Sequence, residues 1–332
     1  MKKKSLLAVL GMLLVFLAAG QASAFPTKDL SGVIMWGAGG ATDNVARAVT
    51  ALVEKYLDKK IILTNRPGAT GAVSVQWVVN QPADGYNILY GAENPQVYKV
   101  LEISPLDYGN FYPVNILARG VGVVICNNNM PWKTMKELFD EAKKTPGQVK
   151  LGSTGPGGLP HVVSTMFRAI DGVTFNAIPF DGEGPAMTAL QGGHVQFMVA
   201  GLTAAREHIR AGRVRALAVI SDTPIPGLEQ IPLITAANPG YKKFLPWGPY
   251  YGVFVRKETP DDVKKKLVEA FQKGAGEEKF QSFIRDFGAI YMGIAGDEAE
   301  KFIRHSQSVT TWMLQEAGAT KASPEKFGIP KP

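Results

Sequence analysis

Four times along this chain a short apolar run gives way to a glycine-rich loop and then to apolar residues at helical spacing, with the loops centred near residues 40, 69, 156 and 183. Strands alternating with helices in this way define an α/β fold with a mainly parallel sheet, and ligands of such sheets bind beyond the carboxyl ends of the strands. The repeat therefore constrains both the fold class and the location of a site. Between the corners the periodicity is regular. Val45, Val49, Leu52, Val53 and Tyr56 share one helical face, with Arg47, Glu54, Lys55 and Lys59 on the others. Strands are expected at 61–63, 87–90, 121–125, 149–152, 174–178, 195–199, 216–220 and 250–255. Pro260-Asp261-Asp262 opens a helix that buries Val263, Leu267, Ala270 and Phe271, and two further helices are expected at 277–287 and 297–315.

The first corner reads Trp36-Gly37-Ala38-Gly39-Gly40-Ala41-Thr42-Asp43. Its glycines let the backbone approach a ligand, and Thr42 or Asp43 can cap the helix that follows. The first N–H groups of a helix lack internal partners and sit at the positive end of its dipole, so a carboxylate or phosphate can be held there without a cationic side chain. The spacing departs from the dinucleotide fingerprint, because Thr42 stands where a third small residue is required.

At 332 residues and 45% hydrophobic content the chain is long enough for two domains. Met1 to Ala24 carries Lys2-Lys3-Lys4, an apolar run at 6–19 and the ending Ala22-Ser23-Ala24, the pattern of a secretory signal peptide cleaved after Ala24 and of a periplasmic destination. The run is short for a retained membrane anchor. Loss of three lysines and no acid with residues 1–24 lowers the formal charge from +7 to +4, too little for a nucleic-acid partner. The one cysteine, Cys126, ends an apolar strand and reads as a buried small residue. The proline- and glycine-rich stretch at 223–249 marks a return crossing, so that 25–125 with 250–332 form one lobe and 126–249 the other. Two of the four corners come from each. If both sheets aim their strand ends at a common cleft, helix N-termini converge on one ligand from two sides.

Enzyme signatures are missing. There is no Gly-x-Ser-x-Gly elbow, P-loop, His-Glu-x-x-His or Cys-x-x-Cys, and the four histidines (His161, His194, His208, His305) are scattered. No catalytic residue, metal or cofactor is expected. His161 stands in the first turn after the 155–159 loop, where it either bridges loop to helix or touches ligand.

Taken in order, the motifs resemble the tripartite tricarboxylate transporter substrate-binding proteins, or Bug family. They are Gly39-Gly40-Ala41-Thr42-Asp43 with Val45-Ala46-Arg47, then Asn65-Arg66-Pro67-Gly68-Ala69-Thr70-Gly71 and Pro82-Ala83-Asp84-Gly85-Tyr86. Gly152-Ser153-Thr154-Gly155 with His161, the run from Pro179-Phe180-Asp181-Gly182-Glu183 to Ala186, and Leu190-Gln191-Gly192-Gly193-His194-Val195 follow. The similarity runs from about residue 30 to about residue 320, with 211–219 as a further block.

The resemblance implies a two-lobed, type II Venus-flytrap fold, capture of a small organic carboxylate in the periplasm, and delivery to the membrane subunits of a tripartite tricarboxylate transporter by a monomeric receptor. It implies a carboxylate resting on Ala38, Gly39, Gly40, Thr42 and Asp43, partly through waters, with Ala69, Thr70, Gly71, Ser153, Thr154, His161, Phe180, Asp181 and Gly182 completing the pocket. Asp43 is expected to organise loops in preference to meeting an anion, since two carboxylates in contact repel. Three departures bear on the pocket. Trp36 stands where a smaller aromatic is usual, Glu93 where small hydroxyl residues are common, and Asp181 where lysine is frequent. The two added acids either face solvent or point to a ligand that is not a fully ionised tricarboxylate and carries a neutral polar, aromatic or cationic group beyond its anchoring carboxylate. Trp36 and Trp247 are placed to stack on a ligand or to pack in the core. Two rivals share the scaffold, the ligand-binding subunit of a sensing system and a secreted enzyme.

Overall fold

The structure is a computed structural model that describes residues 25–332, so the signal peptide expected at 1–24 lies outside the described residues. The chain begins with β1 (Leu30–Ile34), α1 (Ala41–Leu57), β2 (Ile61–Asn65), α2 (Ala72–Val79) and β3 (Asn87–Ala92), and β1 lies between β2 and β3 with both pairings parallel. Strand β4 (Phe111–Arg119) follows after a long connection. The chain then leaves this sheet, because β5 (Gly122–Asn127) pairs elsewhere. The division expected at 125/126 therefore falls inside a strand, and the crossing lies at Gly120 and Val121.

In the second lobe come α3 (Met135–Lys144), β6 (Lys150–Ser153), α4 (Leu159–Asp171), β7 (Asn176–Pro179), α5 (Glu183–Gln191), β8 (Phe197–Gly201), α6 (Leu202–Arg210), β9 (Val214–Ile220) and the short α7 (Ile234–Ala237). The chain returns as β10 (Tyr250–Arg256), α8 (Asp261–Ala275), α9 (Glu278–Asp286), β11 (Ile290–Ile294) and α10 (Gly296–Glu316). The first sheet has the order β11-β4-β10-β3-β1-β2, and the second β7-β6-β8-β5-β9.

Both sheets are mixed, where a mainly parallel arrangement was expected. The antiparallel members are the two crossing strands and the edge strand β11: β10 runs against β3 and β4, β5 runs against β8 and β9, and β11 runs against β4. A strand that arrives from the other lobe enters its sheet at the end where the local strands leave it, so its direction is reversed. This geometry also lays Tyr251 of β10 beside Ala92, at the carboxyl end of β3.

The predicted face of α1 is the buried one, with Val45, Val49 and Val53 at 0–1% exposure. It packs against α8, whose Leu267, Ala270 and Phe271 are equally buried, and Gly274 permits the closest approach, since a Cβ there would stand 2.5 Å from Val53. The last helix, α10, ties the lobes together: Ala299 and Ile303 pack in the first, and Met313 sits in the core of the second beside Trp247. Trp247 is a core residue that donates to Thr310, which removes it from the ligand-stacking candidates. Cys126 is fully buried as a small apolar residue, and burial pushes its thiol up to about 11.

Candidate ligand-binding cleft

At the first corner the backbone leaves β1 through Met35 and Trp36 and turns on Asp43. Asp43 Oδ2 accepts from the Gly39 N–H at 3.0 Å, and Oδ1 accepts from Arg47 Nε at 2.9 Å and from Asn65 Nδ2 at 2.9 Å. Asn65 also donates to the Trp36 carbonyl at 2.8 Å, so the loop is held from both sides. Burial alone would raise the Asp43 carboxyl; the hydrogen bonds from Arg47, Asn65 and Gly39 outweigh it and hold the group below the ordinary aspartate value. Asp43 is thus turned inward, as a loop organiser. Its contribution to stability is present above the unfolded aspartate range near 4 and is lost as pH falls through the lower folded value. Asp43→Ala is accordingly expected to cost about 1–3 kcal/mol at pH 7, a difference that shrinks as pH falls below the ordinary aspartate range when urea unfolding is compared.

The cap of α1 comes from an unexpected source. Gly40 is the N-cap and offers no side chain. The carboxylate of Glu183, the first residue of α5 in the other lobe, accepts from the Ala41 N–H at 3.0 Å and from the Gly201 N–H at 2.5 Å. The α1 N-terminus, the expected seat of a ligand carboxylate, is therefore occupied by a carboxylate of the protein itself.

Further hydrogen bonds cross between the lobes beside the cleft. The Gly37 N–H donates to the Asp181 carbonyl at 2.9 Å, Asn94 Nδ2 donates to the Gly157 carbonyl at 2.8 Å, and the Thr70 hydroxyl reaches the Thr154 carbonyl at 3.5 Å. Glycine lines this seam because the backbones touch. A Cβ at Gly184 would lie 2.0 Å from the Ala38 carbonyl oxygen, and one at Gly182 would lie 2.8 Å from the Gly37 nitrogen. The structure is thus a closed form.

Closure leaves an inner cavity of about 30 Å³, room for roughly two waters. Its walls are Trp36, Gly40, Ala41, Thr42, Ala92, Glu93 and Asn94 from the first lobe and Thr154, Leu159 and Glu183 from the second, with Pro249 and Tyr251 from the returning chain. A broader groove of about 590 Å³ lies outside it, shares Trp36 and Thr154 with it, and is bounded by Ala69, Thr70, Gly155, Pro156, Phe180 and Asp181. Glu93 is 4% exposed. Burial, reinforced by the like charge of Glu183, pushes its carboxyl up to about 8, and burial raises that of Glu183 as well.

The residues proposed from sequence thus separate into groups. Trp36, Gly40, Thr42, Glu93 and Thr154 meet at the inner cavity, and Ala69, Thr70, Phe180 and Asp181 at the outer groove. Ala38, Gly39 and Gly182 belong to the seam. Gly71 packs on Met35 and Tyr98, and the Ser153 hydroxyl accepts from the Gly155 N–H. His161 accepts the Gly157 N–H on Nδ1 at 3.0 Å and faces a separate groove with Ser164 and Arg168, so of its two candidate roles the loop-to-helix bridge is the one seen. Burial, with the Arg168 charge, lowers its pKa and favours the neutral ring. Sequence reasoning missed Asn94, Leu159, Tyr251 and above all Glu183. An acid at the start of a helix is commonplace, and only its contact with the opposite lobe distinguishes it.

Two sheets flanked by helices and facing each other across such a cleft define a two-lobed solute-binding protein. The chain belongs to the tripartite tricarboxylate transporter family receptors, whose family model matches residues 45–318. It is 27% identical to protein BugT of Bordetella pertussis strain Tohama I over 337 aligned positions, covering 96% of this chain and 99% of that one. Among solved structures it is similar to the periplasmic binding protein BugD, at 29% identity and a TM-score of 0.84 over 90% of this chain and 100% of that one. It also shares its fold with R. palustris Rpa4515, solved with adipate, at 24% identity and a TM-score of 0.82 over 89% of this chain and 98% of that one. These relatives are binding proteins. No helix among the described residues is long and apolar enough to cross a membrane.

Proposed function

We propose that this protein is a periplasmic receptor that closes on a small carboxylate-bearing solute and hands it to the membrane subunits of a tripartite tricarboxylate-type transporter. The observation that carries this reading is the facing pair of glycine corners, at Gly37–Gly40 and Gly182–Gly184, with a cavity enclosed between them. Family membership and the adipate held by a protein of the same fold support a carboxylate as the solute class.

The test is thermal melting of residues 25–332 against mono-, di- and tricarboxylates, aromatic acids and amino acids, with mass spectrometry of the denatured protein to identify any solute that co-purifies. A solute at about a hundred times its Kd adds roughly 2.7 kcal/mol to folding stability. A selective rise in Tm, reduced in Thr42→Val but kept in Ser153→Val, is expected, since only Thr42 lines the cavity. No shift with any carboxylate, and no co-purified one, would overturn the reading.

A further inference from the structure

Resting on that reading, we infer that the solute is an aminocarboxylate, and that the inner cavity receives its ammonium group between Glu93 and Glu183 against Trp36 and Tyr251.

The first ground is what the cavity wall lacks. None of its residues is lysine, arginine or histidine, and two of them are glutamates. A second carboxylate of a ligand would enter a nearly closed space between two carboxyls with no counter-charge and could stay there only with protons shared among the three, whereas an ammonium supplies the charge that lets the glutamates ionise. A second carboxylate would also find the α1 corner taken, because Glu183 already accepts the Ala41 N–H.

The second ground is the state of the polar atoms. The two side-chain N–H donors on the wall are spent: Trp36 Nε1 donates to Asn94 Oδ1 at 3.2 Å, and Asn94 Nδ2 donates to the Gly157 carbonyl. Acceptors remain. Glu93 Oε1 accepts from Asn94 Nδ2 at 3.3 Å, and no other side chain among the described residues bonds to this carboxyl, which is 4% exposed and lines the cavity. The hydroxyls of Thr42 and Thr154 line the cavity too and can accept as well as donate. A carboxylate only accepts, whereas an ammonium carries three donors and accepts nothing. The aromatic walls add to the match, since a cation is attracted to the faces of tryptophan and tyrosine.

The third ground is size and continuity. About 30 Å³ suits a compact headgroup, and the outer groove beyond Trp36 and Thr154 provides the space for the carbon chain and carboxylate. Glu183 from α5 and the phenols of Tyr98, Tyr108, Tyr250 and Tyr251 lie near enough to Glu93 for their charges to act on one another, and none of them is cationic.

The experiment is calorimetric titration of residues 25–332 with chain-matched pairs: succinate, glutarate and adipate against 4-aminobutyrate, 5-aminopentanoate and 6-aminohexanoate, together with the standard amino acids. At least one aminocarboxylate is expected to bind tenfold or more tightly than every diacid. Glu93→Gln should weaken that solute at least tenfold while leaving or improving the diacids, and Glu183→Gln serves as a second variant. Tighter binding of diacids by the natural protein would overturn the ammonium assignment and leave the carboxylate receptor standing. So would an aminocarboxylate affinity indifferent to both substitutions. Failure of every carboxylate, amino-bearing or not, would instead overturn the receptor reading on which the inference rests.

Discussion

Gly184→Ala is expected to fold with nearly the stability of the natural protein and yet bind its solute about 10- to 100-fold more weakly. Gly184 is the second residue of α5 and stands before Pro185, where helical backbone is disfavoured for any residue that carries a Cβ, so the gain of about 0.5–1 kcal/mol that alanine brings elsewhere in a helix is offset here. In the closed form the new methyl would stand 2.0 Å from the Ala38 carbonyl oxygen and 3.1 Å from its carbon, and both are backbone atoms of the opposite lobe. No side chain can rotate away to relieve that overlap. Overpacking of this kind costs about 1–3 kcal/mol or more, and the cost falls only on the closed state. A receptor whose binding-competent form is depopulated loses apparent affinity by the same factor. Paired measurements of Tm without solute and Kd by calorimetry separate the two effects. An unchanged Kd would mean that the solute is held without this seam of Gly37, Ala38, Gly182 and Gly184, and a markedly lowered Tm would mean that the clash acts within one lobe.

The second large effect is on the pH dependence of the empty protein. The Glu93 carboxyl is raised from its ordinary value to about 8, first by burial and then by the charge of Glu183. Because its folded value lies above the unfolded one, the unfolded chain loses this proton first as pH rises. The natural protein therefore loses stability between about pH 4.5 and pH 8, and the loss is complete above that window. A tenfold change in proton affinity between the folded and unfolded chains is worth about 1.4 kcal/mol, so the full effect is on the order of several kcal/mol. Glu93→Gln keeps the shape and cannot ionise. It should match the natural protein at pH 4.5 and melt at least about 5 °C higher at pH 8.5, given about 2–4 °C per kcal/mol for a chain of this size. Parallel Tm curves across this range would show that Glu93 ionises freely in the fold. This prediction uses no ligand, so it tests the burial of the acid independently of what the cleft binds.

Much of the architecture was legible because it rests on local rules. The spacing of Val45, Val49 and Val53 predicts the buried face of α1, and that of Val263, Leu267, Ala270 and Phe271 predicts the face of α8 that meets it. Two strands escaped the pattern for physical reasons. Strand β4 is buried on nearly every residue and so shows no alternation, and β11 is a half-exposed edge whose pairing shifts register against β4. The site divided in the same way. Corners needing glycine for close backbone approach announced themselves, as at Gly37 and Gly182. Residues brought in by the crossing chain, Pro249 and Tyr251, did not, because sequence distance gives no hint that β10 lies beside β3.

By itself, the sequence determined the α/β class, the four glycine corners, the helix faces and membership of the receptor family, all of which follow from residue spacing and short-range backbone chemistry. Tertiary structure alone decided the mixed sheets, the crossing at Gly120 and Val121 and the assignment of Glu183 to the end of a helix in the other lobe. Those features depend on which surfaces meet when the two lobes close, and a charge or hydroxyl acquires its role there only from the group it faces.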